Sequence, residues 1–261
     1  MMEDRNFDDL AERLKTRVYG SPKGRLRIDM VWEDLLLNIP GIQHSVPMTI
    51  LDAGGGMGQI SLKLARLGHQ IVLCDISKNM IEQAEVLFGA EKLESCLTLV
   101  HGPFQKLQHD YGQAFDLVLS HAVLEWLADP RGSLNGLIPC LKPHGWLSLL
   151  FYNVNALILQ NAIKGNLKKI KEKMFKGNAT SLTPHQPLDP AQVMDWLSSC
   201  GLSIDQITGI RVFYDYMYSA VRKERLYDDI WELEHTYCRQ EPFALMGKYI
   251  HLIGHDKQED R

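Results

Sequence analysis

Between residues 48 and 152, short apolar runs alternate with stretches whose apolar positions recur at helical spacing. The runs are Met48–Ala53, Gln70–Asp75, Leu97–His101, Phe115–His121 and Gly145–Tyr152, each of strand length. Between them Ile60, Leu62, Leu64, Ala65 and Leu67 fall on one helix face, and Ser77 stands as a cap before Met80, Ile81, Ala84 and Leu87. Such alternation predicts a parallel sheet with helices on both faces. Past residue 152 the pattern changes. Residues 154–178 read as lysine-rich helix and loop, Thr183–Pro190 as a proline-rich turn, and Ala191–Cys200 as a helix ended by Gly201. Two further strands, Gln206–Phe213 and Tyr249–Gly254, bracket a helix predicted from about Tyr218 to Tyr237. Seven strands give one doubly wound α/β sheet, parallel except for its last strand, in a single domain over 1–261 with a helical insertion at 154–189.

Composition fits that picture, with 45% hydrophobic and 23% charged residues, and it excludes fibrous and wholly disordered classes. Lys and Arg total 28 against 32 Asp and Glu, a net charge of −4, so the chain has no global positive field and must meet any polyanion with a local patch. One exists: Lys164, Lys168, Lys169, Lys171, Lys173 and Lys176 stand against Glu172 alone, a local +5. In isolation such a run is as compatible with a solvated helix face as with an RNA contact. Five scattered cysteines without a C-x-x-C, and a charged N-terminus without an apolar stretch, predict reduced thiols and a cytoplasmic location. The uncharged stretch between Lys142 and Lys164 is broken by His144, Asn153, Asn155 and Gln160, so no membrane span is expected. With no clustered acidic ligands and no cysteine placed beside a base, no metal is expected either.

The densest chemistry is Leu51-Asp52-Ala53-Gly54-Gly55-Gly56-Met57-Gly58, at the end of the first strand and directly before a helix. Glycines suit a chain that reverses within a few residues and lays bare backbone against a ligand. The second strand ends in Asp75, 17 residues after Gly58, where a carboxylate would face a bound ribose. Gln59 occupies the last glycine position of a dinucleotide fingerprint, whereas Asp52, Gly54, Gly56 and Gly58 fit D-x-G-x-G-x-G.

That spacing resembles motif I of the class I S-adenosylmethionine-dependent methyltransferases. Phe115-Asp116-Leu117-Val118 and Leu141-Lys142-Pro143-His144-Gly145 resemble later elements of the same superfamily, in the right order. Asp4-Arg5-Asn6-Phe7-Asp8-Asp9, Tyr19-Gly20, Lys23-Gly24, His121-Ala122-Val123-Leu124-Glu125-Trp126, Phe151-Tyr152-Asn153, Arg211-Val212-Phe213 and Tyr237-Cys238-Arg239-Gln240-Glu241-Pro242 are similar to the bacterial CmoM (SmtA) family. That family comprises tRNA 5-carboxymethoxyuridine methyltransferases. The likeness does not extend to the lysines of 157–176, so the basic patch rests on its own charge.

The resemblance implies a Rossmann-like class I methyltransferase fold, with S-adenosyl-L-methionine as cofactor and tRNA carrying 5-carboxymethoxyuridine as partner. It also implies that residues 1–47 form a helical segment closing the cofactor site. Gly54, Gly55 and Asp75 would hold the cofactor. By resemblance Arg27 would meet the methionine portion, Phe104 and Gln105 would surround the adenine, and His121 would lie beside the sulfonium. On the residues alone, Arg27 reads equally as part of a solvated basic turn and His121 as a core histidine. A carboxylate acceptor is already ionised at neutral pH and needs placement more than a base. Tyr152 and Arg211, at the ends of the fifth strand and of a late strand, are the expected orienting residues, although Arg211 also reads as an edge charge. Two other classes stay open: methylation of a small carboxylic acid or other metabolite, and a non-catalytic cofactor- or RNA-binding module. The oligomeric state is not specified.

Overall fold

The computed structural model describes residues 4–14, 16, 20–44, 46–177 and 183–257; Tyr19 of the Tyr19-Gly20 pair lies outside them. After a short helix α1 (Ala11–Leu14), helix α2 (Pro22–Asn38) begins at Ser21, whose hydroxyl caps the Gly24 N–H, with Pro22 in its first turn. The wound half then runs β1 (Thr49–Ala53), α3 (Gln59–Ala65), β2 (Gln70–Asp75), α4 (Lys78–Gly89), β3 (Leu97–His101), β4 (Phe115–His121), α5 (Pro130–Leu137) and β5 (Leu141–Tyr152). The rest comprises α6 (Val154–Ile163), α7 (Leu167–Lys171), α8 (Pro190–Ser199), β6 (Leu202–Ile210), α9 (Ser219–Lys223), α10 (Tyr227–Tyr237) and β7 (Tyr249–Asp256).

The seven strands lie in the order β3-β2-β1-β4-β5-β7-β6. All neighbours are parallel except β7, which runs antiparallel to both β5 and β6. Successive residues of the central strands face opposite cores, which is why those strands read as unbroken apolar runs. Ile50, Ile71, Leu73, Leu117 and Leu119 pack under α2, α3 and α4, and Leu51, Val72, Val118, Leu149 and Phe151 pack on the other face with Leu134 of α5 and Val193 of α8. The order reverses between β1 and β4, so a crevice opens at the carboxyl ends of those strands.

Two expectations about elements need correction. The strand predicted over Gln206–Phe213 runs instead from Leu202 to Ile210 and stops at Arg211, whose φ is 63°. The apolar pair Val212-Phe213 is drawn off because buried Glu234 accepts from the N–H groups of Val212, Phe213 and Tyr214 at 2.6, 3.0 and 2.8 Å. The helix predicted from Tyr218 to Tyr237 is broken into α9 and α10, with Leu226 extended between them. Arg222 donates to the Tyr214 carbonyl and stacks on its ring, tying α9 to the preceding loop, while Asp228 and Asp229 supply the acidic first turn of a new helix. In the lysine-rich region Gly165, at φ 70°, separates α6 from α7. No helix among the described residues is long and apolar enough to cross a membrane.

Candidate active site

The β1–α3 loop is left-handed at Gly54, Gly56 and Gly58, with φ of 74°, 56° and 74°. The N–H groups of Gly54 and Gly55 both donate to the Cys74 carbonyl, holding the loop on the end of β2. A Cβ on Gly54 would lie 2.6 Å from Cγ2 of Val123, so glycine is required by contact as well as by φ. Gly56 N–H donates to Oδ2 of Asp75 at 2.9 Å and Ser77 N–H donates to Oδ1 at 2.8 Å. The carboxylate is thereby fixed in orientation, and each oxygen retains lone-pair capacity toward the cleft. Burial raises the Asp75 pKa, and those two N–H groups oppose the rise. Behind the loop Asp52 accepts from the Ser61 hydroxyl at 2.6 Å, and burial pushes its pKa up to about 6.

The N-terminal segment crosses the carboxyl ends of the strands and is hooked down by its polar side chains. Asp4 accepts from Ala128 N–H at 2.7 Å and from Gln105 at 3.1 Å. Asn6 donates to the Ile76 carbonyl at 3.1 Å, and Asp8 accepts from the Ser77 hydroxyl at 2.6 Å. Between this segment and the sheet lies an open cleft. Of the residues singled out from sequence, Arg27, Gly54, Asp75, Phe104 and His121 line it, together with Gln105. Gly55 faces a smaller adjoining recess shared with Gly54, Arg27 and His121.

His121 ends a buried hydrogen-bonded chain. Its Nε2 lies 2.8 Å from Ser148 Oγ, which lies 2.7 Å from Nε2 of His251, whose Nδ1 lies 2.7 Å from Oδ2 of Asp34. Arg239 then pairs with Asp34 at 2.7 Å and Glu33 at 2.8 Å. Burial, followed by the proximity of His251 and Arg27, drives the His121 pKa well below its ordinary value, so the ring facing the cleft is neutral.

Tyr152 and Arg211 are both buried, and neither is among the residues lining the cleft. They flank one that is: the rings of Tyr152 and Tyr249 meet edge to face at 5.1 Å, and the Arg211 guanidinium lies 5.4 Å from the Tyr249 ring centre. Arg211 is not an edge-facing charge. Its guanidinium pairs with partly buried Asp215 at 2.6 Å. Burial disfavours the cation, but Asp215 and Tyr249 outweigh that and raise its pKa. Beside them Lys248 donates to Gln160 at 2.9 Å and sits over the Tyr152 ring; burial pushes its pKa down to about 8.

Sequence reasoning assigned no role to several residues of this site. Tyr249, Trp126 and Glu125 line the cleft, and Phe7 packs edge to face on Trp126 at 4.8 Å. Glu125 and Trp126 stand inside the His121-to-Trp126 run that carries part of the family likeness, so the signal was present without a function attached. The His251-x-x-x-His255 spacing was missed as well. It lies on a strand, where His251 turns inward to Ser148 and Asp34, and His255 bonds Asp205 at 2.7 Å. Among the described residues no group of three His, Cys, Asp or Glu side chains is placed to hold a metal ion. The six lysines lie on and beside α7, and three of them, Lys168, Lys169 and Lys176, border an open groove with Gly165, Asn166 and Met174. Lys176 is close enough to His185, next to cleft-lining Pro184, to help lower its pKa after burial.

Residues 51–149 match the family described as Methyltransferase domain. The tRNA 5-carboxymethoxyuridine methyltransferase of Escherichia coli strain K12 is 42% identical over 259 residues, covering 98% of each chain. A ubiquinone biosynthesis O-methyltransferase of Xanthomonas axonopodis is 27% identical over 165 residues, covering 62% of this chain and 65% of that one. Among solved structures, magnesium protoporphyrin IX methyltransferase of Synechocystis with bound SAH superposes with a TM-score of 0.62 at 17% identity, covering 96% of both chains. The cyclase SpnF also reaches 0.62, at 16% identity, covering 98% of this chain and 99% of that one. The likeness to these structures shows the fold, and the end-to-end identity shows the family: this chain belongs to the tRNA 5-carboxymethoxyuridine methyltransferases, within the class I S-adenosylmethionine-dependent methyltransferases.

Proposed function

We propose that this chain transfers the methyl group of S-adenosylmethionine to the carboxylate of 5-carboxymethoxyuridine at the tRNA wobble position, forming the methyl ester. The observation that carries the reading is 42% identity sustained over 98% of the chain, including the half that builds the acceptor end of the cleft. S-adenosylmethionine supplies, when bound, an electrophilic methyl group; the acceptor oxygen takes it as the carbon–sulfur bond breaks and the electron pair stays on sulfur, so no proton moves.

The chain's own residues then bind and orient. Asp75, fixed by Gly56 and Ser77, accepts from the ribose hydroxyls. The bare backbone at Gly54 and Gly55 lets the ligand approach, and Phe104 and Gln105 receive the adenine. Arg27 offers a two-pronged fork to the methionine carboxylate. His121, neutral, lies beside the sulfur without adding a repelling charge. Residues 4–14 and α2, inside the 1–47 segment, close the cleft over these groups, and Tyr152 and Arg211 set the Tyr249 ring that borders the acceptor. Most of the acceleration in such a transfer comes from holding the nucleophile in line near the methyl carbon.

The lysines of 164–176 meet the phosphates of the anticodon arm, and the cytoplasm is where the enzyme meets its tRNA. The test is direct: purified protein, S-adenosylmethionine and tRNA bearing the free acid, followed by nucleoside mass spectrometry. Methyl ester on the wobble nucleoside is expected, with free small carboxylic acids unmethylated. Methylation of the small acids but not the tRNA would replace this reading with a small-metabolite methyltransferase. Cofactor binding without turnover on either would leave a binding module.

A further inference from the structure

The cleft contains a carboxyl group that neither the fold nor the cofactor roles above explain. Glu125 lies on the turn after β4 and lines the cleft beside His121, Val123 and Trp126. It is 1% exposed, and neither carboxyl oxygen has a hydrogen-bond partner. A buried polar group left unpaired is costly, and a cleft-facing one is satisfied when a ligand arrives.

Its position along the cleft narrows the ligand. Asp75, Gly102 and Phe104 mark the adenosine end, at the tips of β2 and β3. Glu125 is at the other end, between β4 and β5, where the backbone N–H groups of Glu125 itself and of Tyr152 turn their positive ends toward its carboxyl without well-formed bonds. Tyr249, from the start of β7, borders the same end. This is where an acceptor must sit to reach a methyl group held beside His121.

We propose that Glu125 is a specificity-determining residue that binds the acceptor carboxylate, donating one hydrogen bond from its own neutral carboxylic acid to one acceptor oxygen and leaving the other oxygen to attack. The inference rests on the carboxyl acceptor proposed above. Burial pushes the Glu125 pKa up to about 7, so a large share of the residue is protonated near neutrality before substrate arrives. An incoming carboxylate raises it further, because two carboxyl groups sharing one site hold a proton between them. The surrounding groups allow this. Arg27 from α2 favours the ionised form only partly, Tyr152 from β5 is held as a neutral phenol by burial, His121 from β4 is neutral, and Tyr249 from β7 brings a phenol to the same end. Asp4, Arg5 and Asp75 line the cleft as well. During transfer Glu125 keeps its proton. The product ester is uncharged and a weaker acceptor, so the grip that selects an anion relaxes once the methyl group is in place.

The experiment measures kcat/KM on tRNA bearing the free acid from pH 6 to 9 for the wild type, Glu125→Gln and Glu125→Ala, with S-adenosylmethionine affinity by calorimetry and thermal unfolding as controls. Wild-type kcat/KM should fall toward tenfold per pH unit above about 7, as the donor form is lost. Glu125→Gln, which keeps an N–H donor at every pH, should lose that decline and equal or exceed the wild type at pH 8.5. Glu125→Ala should lose on the order of 100-fold with cofactor affinity unchanged. A wild-type profile flat across the range, or an alkaline decline that survives in Glu125→Gln, overturns the proposal even if the alanine variant fails to fold. So does an inactive Glu125→Gln that still binds cofactor, or a Glu125→Gln with cofactor affinity down tenfold, which would move the residue to the methionine end. If the wild type forms no ester on this tRNA, the substrate reading has failed and the proposal falls with it.

Discussion

Removing Arg211 tests whether a buried charge pair holds the acceptor end together. Its side chain is 7% exposed and that of Asp215 15%, and both Nε and a terminal nitrogen of the guanidinium lie 2.6 Å from the same Asp215 oxygen. Arg211→Ala strands the Asp215 carboxylate in the interior, since Lys248 and Arg222 act on it only through weaker charge interactions. Breaking a pair of this kind costs about 3–5 kcal/mol, nearly all of it the penalty of the uncompensated partner. At roughly 2–4 °C per kcal/mol for a chain of this size, the midpoint of thermal unfolding should drop by roughly 6–20 °C. Arg211→Met and Asp215→Leu alone should each cost a similar amount, and the double variant Arg211→Met/Asp215→Leu should recover most of it, giving a coupling of at least about 2 kcal/mol in a four-corner cycle by urea unfolding. Turnover is then compared at a temperature where all four proteins are folded. The double variant is expected to bind S-adenosylmethionine normally yet methylate tRNA more slowly, because the Tyr249 ring has lost the cation beside it. Additive stability costs, with no coupling, would refute the account of the pair. Full turnover in a stable double variant would remove Arg211 from the acceptor site.

Asp75→Asn exchanges an acceptor oxygen for an amide that cannot satisfy both backbone N–H groups and the ribose, so cofactor affinity by calorimetry should fall at least about tenfold, given about 1.5–3 kcal/mol for a charged hydrogen bond; unchanged affinity would place the ribose elsewhere. Changing Lys168 and Lys169 to Gln should flatten the log–log salt dependence of tRNA binding by about 0.7 for each phosphate no longer neutralised, and an unaltered slope would return the run to a solvated face. His121 is held neutral in the folded protein, so the native state binds fewer protons than the unfolded one below about pH 6.5. Its contribution is therefore a stability present above that pH and lost as pH falls, at up to about 1.4 kcal/mol per unit. Urea midpoints of His121→Asn should decline less steeply than wild type between pH 7 and 5; parallel curves would contradict the depressed pKa.

The wound half was legible because its determinants are local. β2, β3 and β4 begin and end at the predicted residues, since each is a short apolar run flanked by turn-forming residues, and β2 and β4 are also buried along most of their length. Ser77 caps α4 through its hydroxyl on the Met80 N–H, as the spacing predicted. Misreadings cluster past residue 200, where distant side chains decide the backbone. Val212 and Phe213 look like strand until Glu234, more than twenty residues on, takes their N–H groups. Nothing near Arg211 announces that its partner is Asp215 in the interior rather than solvent, because an i, i+4 pair outside a helix has no periodic signature.

The same division runs through the site. The proposed adenosine end is made largely of backbone: three left-handed glycines, two N–H groups on one carboxylate and a strand terminus. Backbone geometry of that kind leaves a fixed spacing in the sequence, and Asp52 to Asp75 could be read directly. The proposed acceptor end is assembled from side chains arriving on the turn after β4, on β5, on the loop after β6 and at the start of β7, with Glu125, Tyr152, Arg211 and Tyr249 drawn from positions 125 to 249. Their convergence has no linear signature. Nor does the fold supply it, since a cyclase superposes on this chain as well as a methyltransferase does. On the proposed reading the acceptor is specified by a few buried side chains at one end of a shared scaffold. Exchanging charge or hydrogen-bond donors there should change what is methylated while leaving the affinity for S-adenosylmethionine almost untouched.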